Sequence, residues 1–505
     1  MGAEGVAEGP DFAAGIAAGE CPDEGTIAGR VGDQPVLLSR FAGEWFAVSG
    51  SCTHYGALLA KGLVDGAQVR CPLHHACFDL KTGAALRAPA LDPLDRWKVE
   101  VDADRLFVRE KLATQEAGSG AGADIANVVI VGGGAAGLAC ANELRVLGYG
   151  GAITMVSADA DPPCDRPNLS KDYLAGKAPE EWIPLRPDDW YRDHRIDLRL
   201  RSEVQRIDAA GRAIILAGGK RMPFDRLLLA TGSEPRRLVD GGISGERVFT
   251  LRTLADARAI INRAKEGSRA AIIGSSFIGM EAAAALRERG LEVDVVSPEQ
   301  VPFETVLGKE LGSFLKRLHE DHGVRFHLGT VAAALGPHGL VLANGESIAA
   351  DLVLVGVGVL PRTSLAEAAG LDTGNGVWVD EYLRTSCLDI YAAGDIAAYP
   401  DPMSGERVRI EHWAVAERQG QTAAANMLGL NRKYSAAPFF WTEQYGVSIR
   451  YVGHARGWDE ARIDGEIGTG GCVVRYHRGG KHLASASINR DRENLEDELR
   501  LERRA

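Results

Sequence analysis

The chain has 505 residues but only eight cysteines, and aromatic side chains make up just 6% of it. Eight cysteines are too few for a disulfide scaffold at this length, so we expect reduced thiols and a cytoplasmic protein. A chain this long also exceeds what one hydrophobic core accommodates, which predicts roughly three or four domains. Glycine, by contrast, is abundant, with 61 residues.

Long basic runs and long apolar runs are both missing. The formal charge is −12 and no stretch of lysine or arginine offsets it, which argues against a nucleic-acid partner. The most apolar stretch, 125–141, is interrupted by Asn127 and four glycines, which predicts a strand, a turn and a helix instead of a membrane span. The first twenty residues include Glu4, Glu8 and Asp11 and have no apolar core, so we expect no signal peptide.

Two short motifs near the beginning of the chain combine cysteine with histidine. Cys52 and His54 form one pair, and Cys71 and His74 form the second, with the spacing C-x-H-x16-C-x2-H. Two thiolates on one iron and two imidazoles on the other are the ligand set of a Rieske 2Fe–2S cluster. The alternative is a structural zinc site, but zinc sites usually contain closely spaced Cys pairs and His pairs, which this motif does not. His75 and Cys77 lie outside the pattern, and we expect them to pack or hydrogen-bond.

Over about 80 residues this segment resembles the Rieske family, including the residues 78–80 and 82–83 that follow the second motif. Respiratory Rieske proteins carry an extra cysteine in each cluster loop, and these two cysteines form a disulfide. Ala57 and Leu73 stand at those places here, so the segment is similar to the ferredoxin and ring-hydroxylase branch. That resemblance implies a reduction potential toward the lower end of the Rieske range of roughly −150 to +300 mV.

A glycine-rich turn follows the apolar run 128–131. Gly132, Gly134 and Gly137 form G-x-G-x-x-G, in which the first glycine permits the turn, the second lets the backbone approach a pyrophosphate and the third allows close helix packing. The next predicted strand ends in Ser157 where an acidic residue usually binds a ribose, although Asp159 is nearby. The motif predicts a first dinucleotide site.

A second turn of the same kind follows the apolar run 270–273. Its positions are Gly274, Ser276 and Gly279, with the small Ser276 replacing the middle glycine. The following predicted strand ends in Ser297, and residues 298–300 include no Arg or Lys for a 2′-phosphate. We therefore expect NADH, with NADPH not excluded.

Further along the chain, Thr231–Gly232 and Gly394–Asp395 each end an apolar run. They resemble the two characteristic stretches of the glutathione-reductase-like flavoproteins with two dinucleotide folds, over residues 125–450. The resemblance implies that the first fold binds FAD, that the second binds the nicotinamide dinucleotide, and that Asp395 binds the ribityl chain.

The loop 163–171 contains Cys164 but no second cysteine, so the C-x4-C redox pair of disulfide reductases is absent from the sequence. The loop resembles the oxygenase-coupled ferredoxin reductases and the apoptosis-inducing-factor-like proteins. The resemblance implies that Arg166 and Lys171 contact FAD and that Lys171 pairs with Glu281 beside the flavin. It also implies that Trp413 and Trp441 border the flavin, with ordinary core packing as the alternative.

A Rieske unit fused ahead of such a reductase matches one subgroup of the apoptosis-inducing-factor-like proteins. The fold this implies is an α/β flavoprotein of the glutathione-reductase type, with an N-terminal all-β Rieske domain and a C-terminal α+β domain. The predicted parts are a Rieske domain at 1–111, a linker at 112–124, an FAD domain at 125–250 and 381–431, an NAD(P)H domain at 251–380 and a C-terminal domain at 432–505. The charged final helix, 493–504, is expected to present a solvated face.

The implied activity is reduction of FAD by NADH, with Lys171, Glu281 and Trp413 as the predicted catalytic residues. Electrons then pass to the 2Fe–2S cluster and to an external acceptor such as a P450, an oxygenase component or a ferredoxin. Two alternatives stay open. One is a regulatory flavoprotein that responds to NADH, and the other is an oxidase or peroxidase that uses Cys164 as a sulfenic acid. The sequence predicts no oligomeric state.

Overall fold

The computed structural model describes residues 9–113, 122, 124–238, 242–468 and 470–504. Residues 1–8 of the predicted Rieske domain, and residues 114–121 and 123 of the predicted linker, lie outside the described residues. No helix in the described ranges is long and apolar enough to cross a membrane.

The first part of the chain consists of short antiparallel strands, because its alternating apolar residues are separated by Gly and Asp turns. A six-stranded sheet has the order β1-β10-β9-β4-β3-β2, and a smaller sheet has the order β5-β6-β7-β8. The strands are β1 (Ile16–Ala17), β2 (Gly25–Val31), β3 (Gln34–Phe41), β4 (Glu44–Ser49), β5 (Leu63–Asp65), β6 (Gln68–Arg70), β7 (Cys77–Asp79), β8 (Ala85–Arg87), β9 (Arg96–Asp102) and β10 (Arg105–Lys111). One cysteine–histidine motif follows β4, and the other joins β6 to β7.

A parallel sheet begins at the first glycine-rich turn. The central strand of this sheet, 127–131, is almost entirely apolar because both faces of the sheet are buried. The elements of this part are β11 (Asn127–Val131), α1 (Ala135–Val146), β12 (Ala152–Val156), α2 (Arg166–Leu169), α3 (Asp172–Ala175), α4 (Asp188–Asp193), β13 (Ile196–Arg199), β14 (Val204–Asp208), β15 (Ala213–Leu216), β16 (Arg221–Pro223), β17 (Arg226–Leu229) and β18 (Ser233–Pro235).

A second parallel sheet, of order β19-β26-β20-β21-β22, carries the second turn. Its elements and those that follow it are β19 (Val248–Phe249), α5 (Leu254–Arg263), β20 (Arg269–Ile273), α6 (Phe277–Glu288), β21 (Glu292–Ser297), α7 (Glu304–Asp321), β22 (Val324–Leu328), β23 (Ala332–Gly336), β24 (Gly339–Leu342), β25 (Ser347–Ala349), β26 (Leu352–Val355), β27 (Val359–Pro361), α8 (Ser364–Ala368), β28 (Thr373–Gly374) and β29 (Gly376–Trp378).

The chain then returns to the first sheet, whose order is β13-β12-β11-β17-β30. The elements of this return are β30 (Ile390–Ala392), β31 (Ala397–Pro400), β32 (Arg407–Val408) and α9 (Trp413–Met427). Because β30 pairs with β17, the second nucleotide fold is an insertion into the first. Helix α9 packs against α1 over the first sheet.

The last part of the chain is an antiparallel sheet, of order β33-β34-β37-β36-β35, with one helix on it. Its elements are β33 (Phe439–Gln444), β34 (Val447–Gly453), β35 (Glu460–Glu466), β36 (Gly471–Arg478), β37 (Lys481–Ile488) and α10 (Asp491–Glu502). The predicted fold class is confirmed: two nucleotide folds lie between an all-β unit and an α+β unit. The residue boundaries of the domains stay a prediction.

The expectation of a solvated face holds for only one side of the final helix, where Arg492 and Arg500 are exposed. Helix α10 buries Asp497 and Glu498 completely, together with Leu495. Asp497 and Glu498 face the neighbouring strands and the Rieske unit, where Arg475 pairs with Asp497, and Arg70 pairs with Glu498. A carboxylate in such a position requires a charged partner, so α10 is part of an ionic contact between domains.

Candidate functional site

Both glycine-rich turns hold the backbone too close for any side chain. At Gly132, where φ is 123°, a Cβ atom would lie 2.1 Å from the carbonyl oxygen of Ala230, and at Gly137 it would lie 2.2 Å from that of Gly132. The second turn repeats this packing, because a Cβ at Gly279 would lie 2.2 Å from the oxygen of Gly274. The turns therefore open helices α1 and α6 toward a cleft, as dinucleotide binding requires.

Two adjoining cavities, of about 800 and about 300 Å³, form this cleft. Both are lined by Gly134, Arg166, Gly232 and Arg252, so the two cavities are adjacent. Twelve of the predicted cofactor residues line it: Gly132, Gly134, Arg166, Lys171, Thr231, Gly232, Ser276, Glu281, Gly394, Asp395, Trp413 and Trp441. Gly137, Gly274 and Gly279 are not among the described residues that line the two cavities. The size of the cleft and its glycine-rich ends fit an extended dinucleotide.

Lys171 and Glu281 form an ion pair at the wall of the cleft. The Nζ atom of Lys171 lies 2.8 Å from Oε2 of Glu281. The same carboxylate accepts hydrogen bonds from the Ser170 hydroxyl at 2.5 Å and the Thr442 hydroxyl at 2.7 Å. Only 4% of Glu281 is exposed, so a charge at this position depends on those donors.

Asp395 also lines the cleft. Its carboxylate accepts hydrogen bonds from Arg252 and from the Ser233 hydroxyl, both at 2.7 Å. Burial alone would raise the pKa of Asp395, but the charge of Arg252 holds this pKa below its usual value. An ionised carboxylate can accept hydrogen bonds from ligand hydroxyls, which is the chemistry expected for a residue that binds a ribityl chain. Sequence reasoning missed Arg252, which lies outside every recognisable motif.

Aromatic and imidazole rings close the other wall. Trp413 and Trp441 both line the cleft, so packing within the core does not account for them fully. His412 also lines it, and burial lowers the pKa of its ring to about 3. His412 is therefore neutral at physiological pH and contributes no positive charge here.

The four predicted iron ligands form two pairs. The Nδ1 atoms of His54 and His74 lie 3.1 Å apart, a separation that suits two imidazoles bound to one metal ion at about 2 Å each. The neighbouring Cys71 thiol, together with burial, raises the pKa of Cys52, and both cysteines are buried. Within the described ranges, no three His, Cys, Asp or Glu side chains converge on one point, unlike a zinc site. The donor set fits a 2Fe–2S cluster with two ligands per iron.

The two neighbouring residues behave as the spacing predicts. His75 is fully buried, and its Nδ1 lies 3.1 Å from Glu498. The Cys77 thiol contacts the amide oxygen of Gln68 at 3.5 Å. Both side chains therefore have other partners.

The ring of Trp441 lies between the histidine pair and the cleft. Its centroid is 4.1 Å from that of His74 and 6.4 Å from that of His54. On the other side of the pair, Tyr55 stacks on His54 at 4.2 Å and donates a hydrogen bond to Asp165, which directly precedes Arg166. The Rieske loops thus contact Trp441, which lines the cleft, and Asp165, the residue before the cleft residue Arg166.

A buried ionic cluster fixes the Rieske unit in this position. Arg418 of α9 donates to the backbone oxygens of His75 and Ala88 at 3.0 and 3.2 Å, and to Glu498 at 3.1 Å. Glu498 in turn accepts a hydrogen bond from Arg70 at 2.8 Å. We refer to Arg70, Arg418 and Glu498 as the docking cluster.

Cys164 lies apart from this chemistry. Only 8% of it is exposed, it packs in a hydrophobic core, and it is not among the described residues that line the cleft. Burial raises the pKa of its thiol, which disfavours the thiolate that peroxide oxidation needs.

Glu299 is a second residue that sequence reasoning missed. It follows β21 by two residues, and its carboxylate accepts hydrogen bonds from Ser275 at 2.9 Å and Thr305 at 2.7 Å. Ser275 belongs to the second glycine-rich turn, so Glu299 lies beside that turn, near where the dinucleotide motif usually has an acidic side chain. The signal was present in the sequence, displaced two positions beyond the strand end.

Comparison with known proteins places each part in a family. Residues 126–420 match the pyridine nucleotide-disulphide oxidoreductase family, residues 15–98 match the Rieske [2Fe-2S] domain, and residues 439–504 match the reductase C-terminal domain. Human (Homo sapiens) apoptosis-inducing factor 3 is 35% identical over 90% of this chain and 78% of its own length.

Reductases of oxygenase systems match the part after the Rieske unit. The ferredoxin–NAD(+) reductase component of the anthranilate 1,2-dioxygenase system of Burkholderia cepacia is 37% identical over 72% of this chain and 91% of its own length. Putidaredoxin reductase in its covalent complex with putidaredoxin has a TM-score of 0.72 and 33% identity, over 75% of this chain and 93% of that one. The chain therefore belongs to the pyridine nucleotide-disulphide oxidoreductase family, as an FAD-dependent NAD(P)H oxidoreductase of the ferredoxin-reductase type with a fused Rieske 2Fe–2S domain.

Proposed function

We propose that this enzyme passes electrons from NADH through FAD to its own Rieske cluster, and from there to an external ferredoxin-type protein or oxygenase component. When bound, FAD supplies hydride acceptance and single-electron release, which links a two-electron donor to a one-electron cluster. The chain's own residues orient the two cofactors and set the charge around them. In this proposal the fused Rieske unit is the first acceptor of electrons from the reduced flavin.

One observation carries this proposal. The indole of Trp441 lines the cleft and also packs on the ring of His74. A single side chain therefore joins the walls of the two cofactor sites. The docking cluster supports the proposal, because separating the Rieske unit from the reductase would leave the carboxylate of Glu498 without Arg70.

In this proposal, the residues that line the cleft position the cofactors or supply charge beside them. The backbone at Gly132 and Gly134 leaves room for a pyrophosphate, and the carboxylate of Asp395 can accept hydroxyl hydrogen bonds. Lys171 supplies a positive charge beside the predicted position of the flavin, and Glu281 holds that ammonium group in place. None of these steps requires a general base.

An anaerobic titration of the holoenzyme with NADH tests the proposal. We expect the visible absorbance of the flavin to bleach and a rhombic Rieske-type EPR signal to develop. A Cys71→Ser variant is the control: its flavin should bleach in the same way without the EPR signal. Bleaching of the wild-type flavin while an assembled cluster remains oxidised would contradict intramolecular transfer.

The acceptor is proposed from the relatives. The Burkholderia cepacia protein is a component of a dioxygenase system, and the solved putidaredoxin reductase is bound to putidaredoxin. A small iron–sulfur protein or an oxygenase component therefore suits the chemistry of this enzyme.

Glu299 supports NADH over NADPH as the donor, because a fixed carboxylate accepts from ribose hydroxyls and repels a 2′-phosphate. We expect Glu299→Gln to raise the KM for NADH by about tenfold, since a hydrogen bond to a charged group contributes about 1.5–3 kcal/mol. The KM for NADPH should fall or stay the same. Steady-state reduction of ferricyanide with each donor measures both values. An equal rise for the two donors would contradict this role.

Two other functions make distinct predictions. A regulatory flavoprotein would reduce external acceptors very slowly and would keep a long-lived complex of reduced flavin with NAD⁺. A peroxidase would consume peroxide rapidly with NADH and would lose that activity in Cys164→Ser. The burial of Cys164 and the raised pKa of its thiol favour electron transfer over peroxidase chemistry.

A further inference from the structure

A chain of buried hydrogen bonds extends from the Lys171–Glu281 pair away from the cleft. The Thr442 hydroxyl lies 2.7 Å from Glu281, the amide nitrogen of Gln444 lies 3.0 Å from the Thr442 hydroxyl, and Nε2 of His319 lies 2.6 Å from the amide oxygen of Gln444. At most 4% of any of these four side chains is exposed. We call Thr442, Gln444 and His319 the outer relay.

The direction of donation in the outer relay follows from the orientation of the Gln444 amide. The amide nitrogen of Gln444 can only donate, so Thr442 accepts from it and keeps its single proton for Glu281. The amide oxygen of Gln444 can only accept, so Nε2 of His319 carries a proton. Each group therefore donates toward the carboxylate of Glu281.

The state of His319 agrees with this direction. Burial lowers the pKa of its ring to about 4, so the ring is neutral and carries one proton. Its Nδ1 atom is buried and has no hydrogen-bond partner among the described residues. Because an unpaired buried N–H costs more than an unpaired lone pair in this setting, the proton belongs on Nε2.

The opposite direction would have a consequence at the cleft. If the amide group of Gln444 were rotated by 180°, its oxygen would accept the hydrogen bond of the Thr442 hydroxyl. The lone pairs of that hydroxyl would then face Glu281. A carboxylate in that position would meet an acceptor instead of a donor, whereas a protonated Glu281 could donate to it. The protonation of Glu281 and the orientation of Gln444 are thus linked by geometry.

We propose that Thr442, Gln444 and His319 are positioning residues that keep Glu281 ionised, and Lys171 charged beside it, during flavin reduction. This rests on the proposed function only in placing FAD next to Lys171. The relay joins helix α7 and helix α6 of the inserted fold through strand β33 of the last sheet. Lys171 belongs to the first fold, so the pair at the cleft depends on contacts among all three reductase parts.

The test compares Thr442→Val, which removes the donor, with Thr442→Ser, which keeps it. In the holoenzyme, we expect the fall in the rate of flavin reduction by NADH at acid pH to move upward by about one pH unit in Thr442→Val. The pH dependence of the FAD midpoint potential should change at the same new pH. Thr442→Ser should keep the wild-type behaviour in both measurements.

Gln444→Glu provides a second, nearly isosteric variant. The new carboxylate can only accept a hydrogen bond from the Thr442 hydroxyl, so that hydroxyl no longer donates to Glu281. We expect a shift in the same direction as in Thr442→Val, and no further shift when the two substitutions are combined, because they break one relay. If Thr442→Val fails to bind FAD, this variant still tests the proposal.

Three results would overturn the proposal: a wild-type pH profile in Thr442→Val, an equal shift in Thr442→Ser, or additive shifts in the double variant. Thermal midpoints of all variants identify general loss of structure. Both readouts follow the flavin alone, so they stay valid if electrons never reach the cluster. A failure of the relay is thereby distinguished from a failure of the proposed function.

Discussion

Replacing Trp441 by alanine is expected to slow electron transfer from reduced FAD to the Rieske cluster on the order of a hundredfold, while NADH continues to reduce the flavin. The indole fills the space between the cleft and His74, with the two ring centroids 4.1 Å apart. Truncation leaves a gap of several ångströms on this route, and misplacing reacting groups by about 1 Å can already cost a hundredfold in rate.

Rapid mixing of the holoenzyme with NADH measures both steps, because flavin bleaching and cluster reduction absorb at different wavelengths. Trp441→Phe keeps an aromatic ring in place and should retain most of the rate. Trp182→Ala is a matched control, since that indole is 65% exposed and does not line the cleft. Wild-type cluster reduction in Trp441→Ala would show that electrons take another route.

Glu498→Gln is expected to destabilise the protein by about 3–5 kcal/mol, which is typical when one partner of a buried ion pair is removed. The substitution leaves Arg70 and Arg418 buried without the carboxylate that both contact. Because Arg70 belongs to the Rieske unit and Arg418 to the reductase, the loss should also release one unit from the other. Guanidinium unfolding gives the free energy, and limited proteolysis should release the Rieske unit earlier in the variant.

Glu496→Gln, on the same helix, is the matched control. Its side chain is 44% exposed and pairs with Arg492 at 3.4 Å, so we expect a change below about 1 kcal/mol. Equal effects of the two substitutions would contradict the importance of the docking cluster.

The contribution of Glu498 to the stability of the protein depends on pH in a definite direction. Burial alone would raise the pKa of Glu498. The pKa is nevertheless held well below its usual value by the neighbouring His75, Arg418 and Arg70. A carboxyl group with a depressed pKa in the folded state stabilises the protein above its unfolded-state pKa of about 4.3, and this contribution is lost as pH falls further. The stability difference between wild type and Glu498→Gln should therefore be full at neutral pH and shrink below about pH 4. A difference that grows in acid would contradict this assignment.

Features carried by contiguous residues were predictable from the sequence. The glycine-rich turns and the cysteine–histidine loops are local, because adjacent residues fix both the backbone path and the chemistry. The Lys171–Glu281 pair was expected only from family resemblance, since the two residues are far apart in the chain and no spacing rule joins them. In the structure, Nζ of Lys171 lies 2.8 Å from Oε2 of Glu281.

The contacts between domains could not be predicted in this way. Glu498 stands in a run of alternating charges that is typical of a solvated helix, and its burial depends on arginines from two other domains. Tyr55 and Asp165 are likewise 110 positions apart, and only the docked fold brings them together. Docking also places Trp441 against His74, a contact that neither residue signals in the sequence.

The most direct test of the central claim is the rate of cluster reduction after NADH is mixed with the holoenzyme at several protein concentrations. If the docked Rieske unit receives electrons from the flavin of its own chain, the rate constant is the same at every concentration. A rate that rises in proportion to protein concentration would mean that electrons pass between separate molecules. That result would contradict the docked arrangement as the route of transfer.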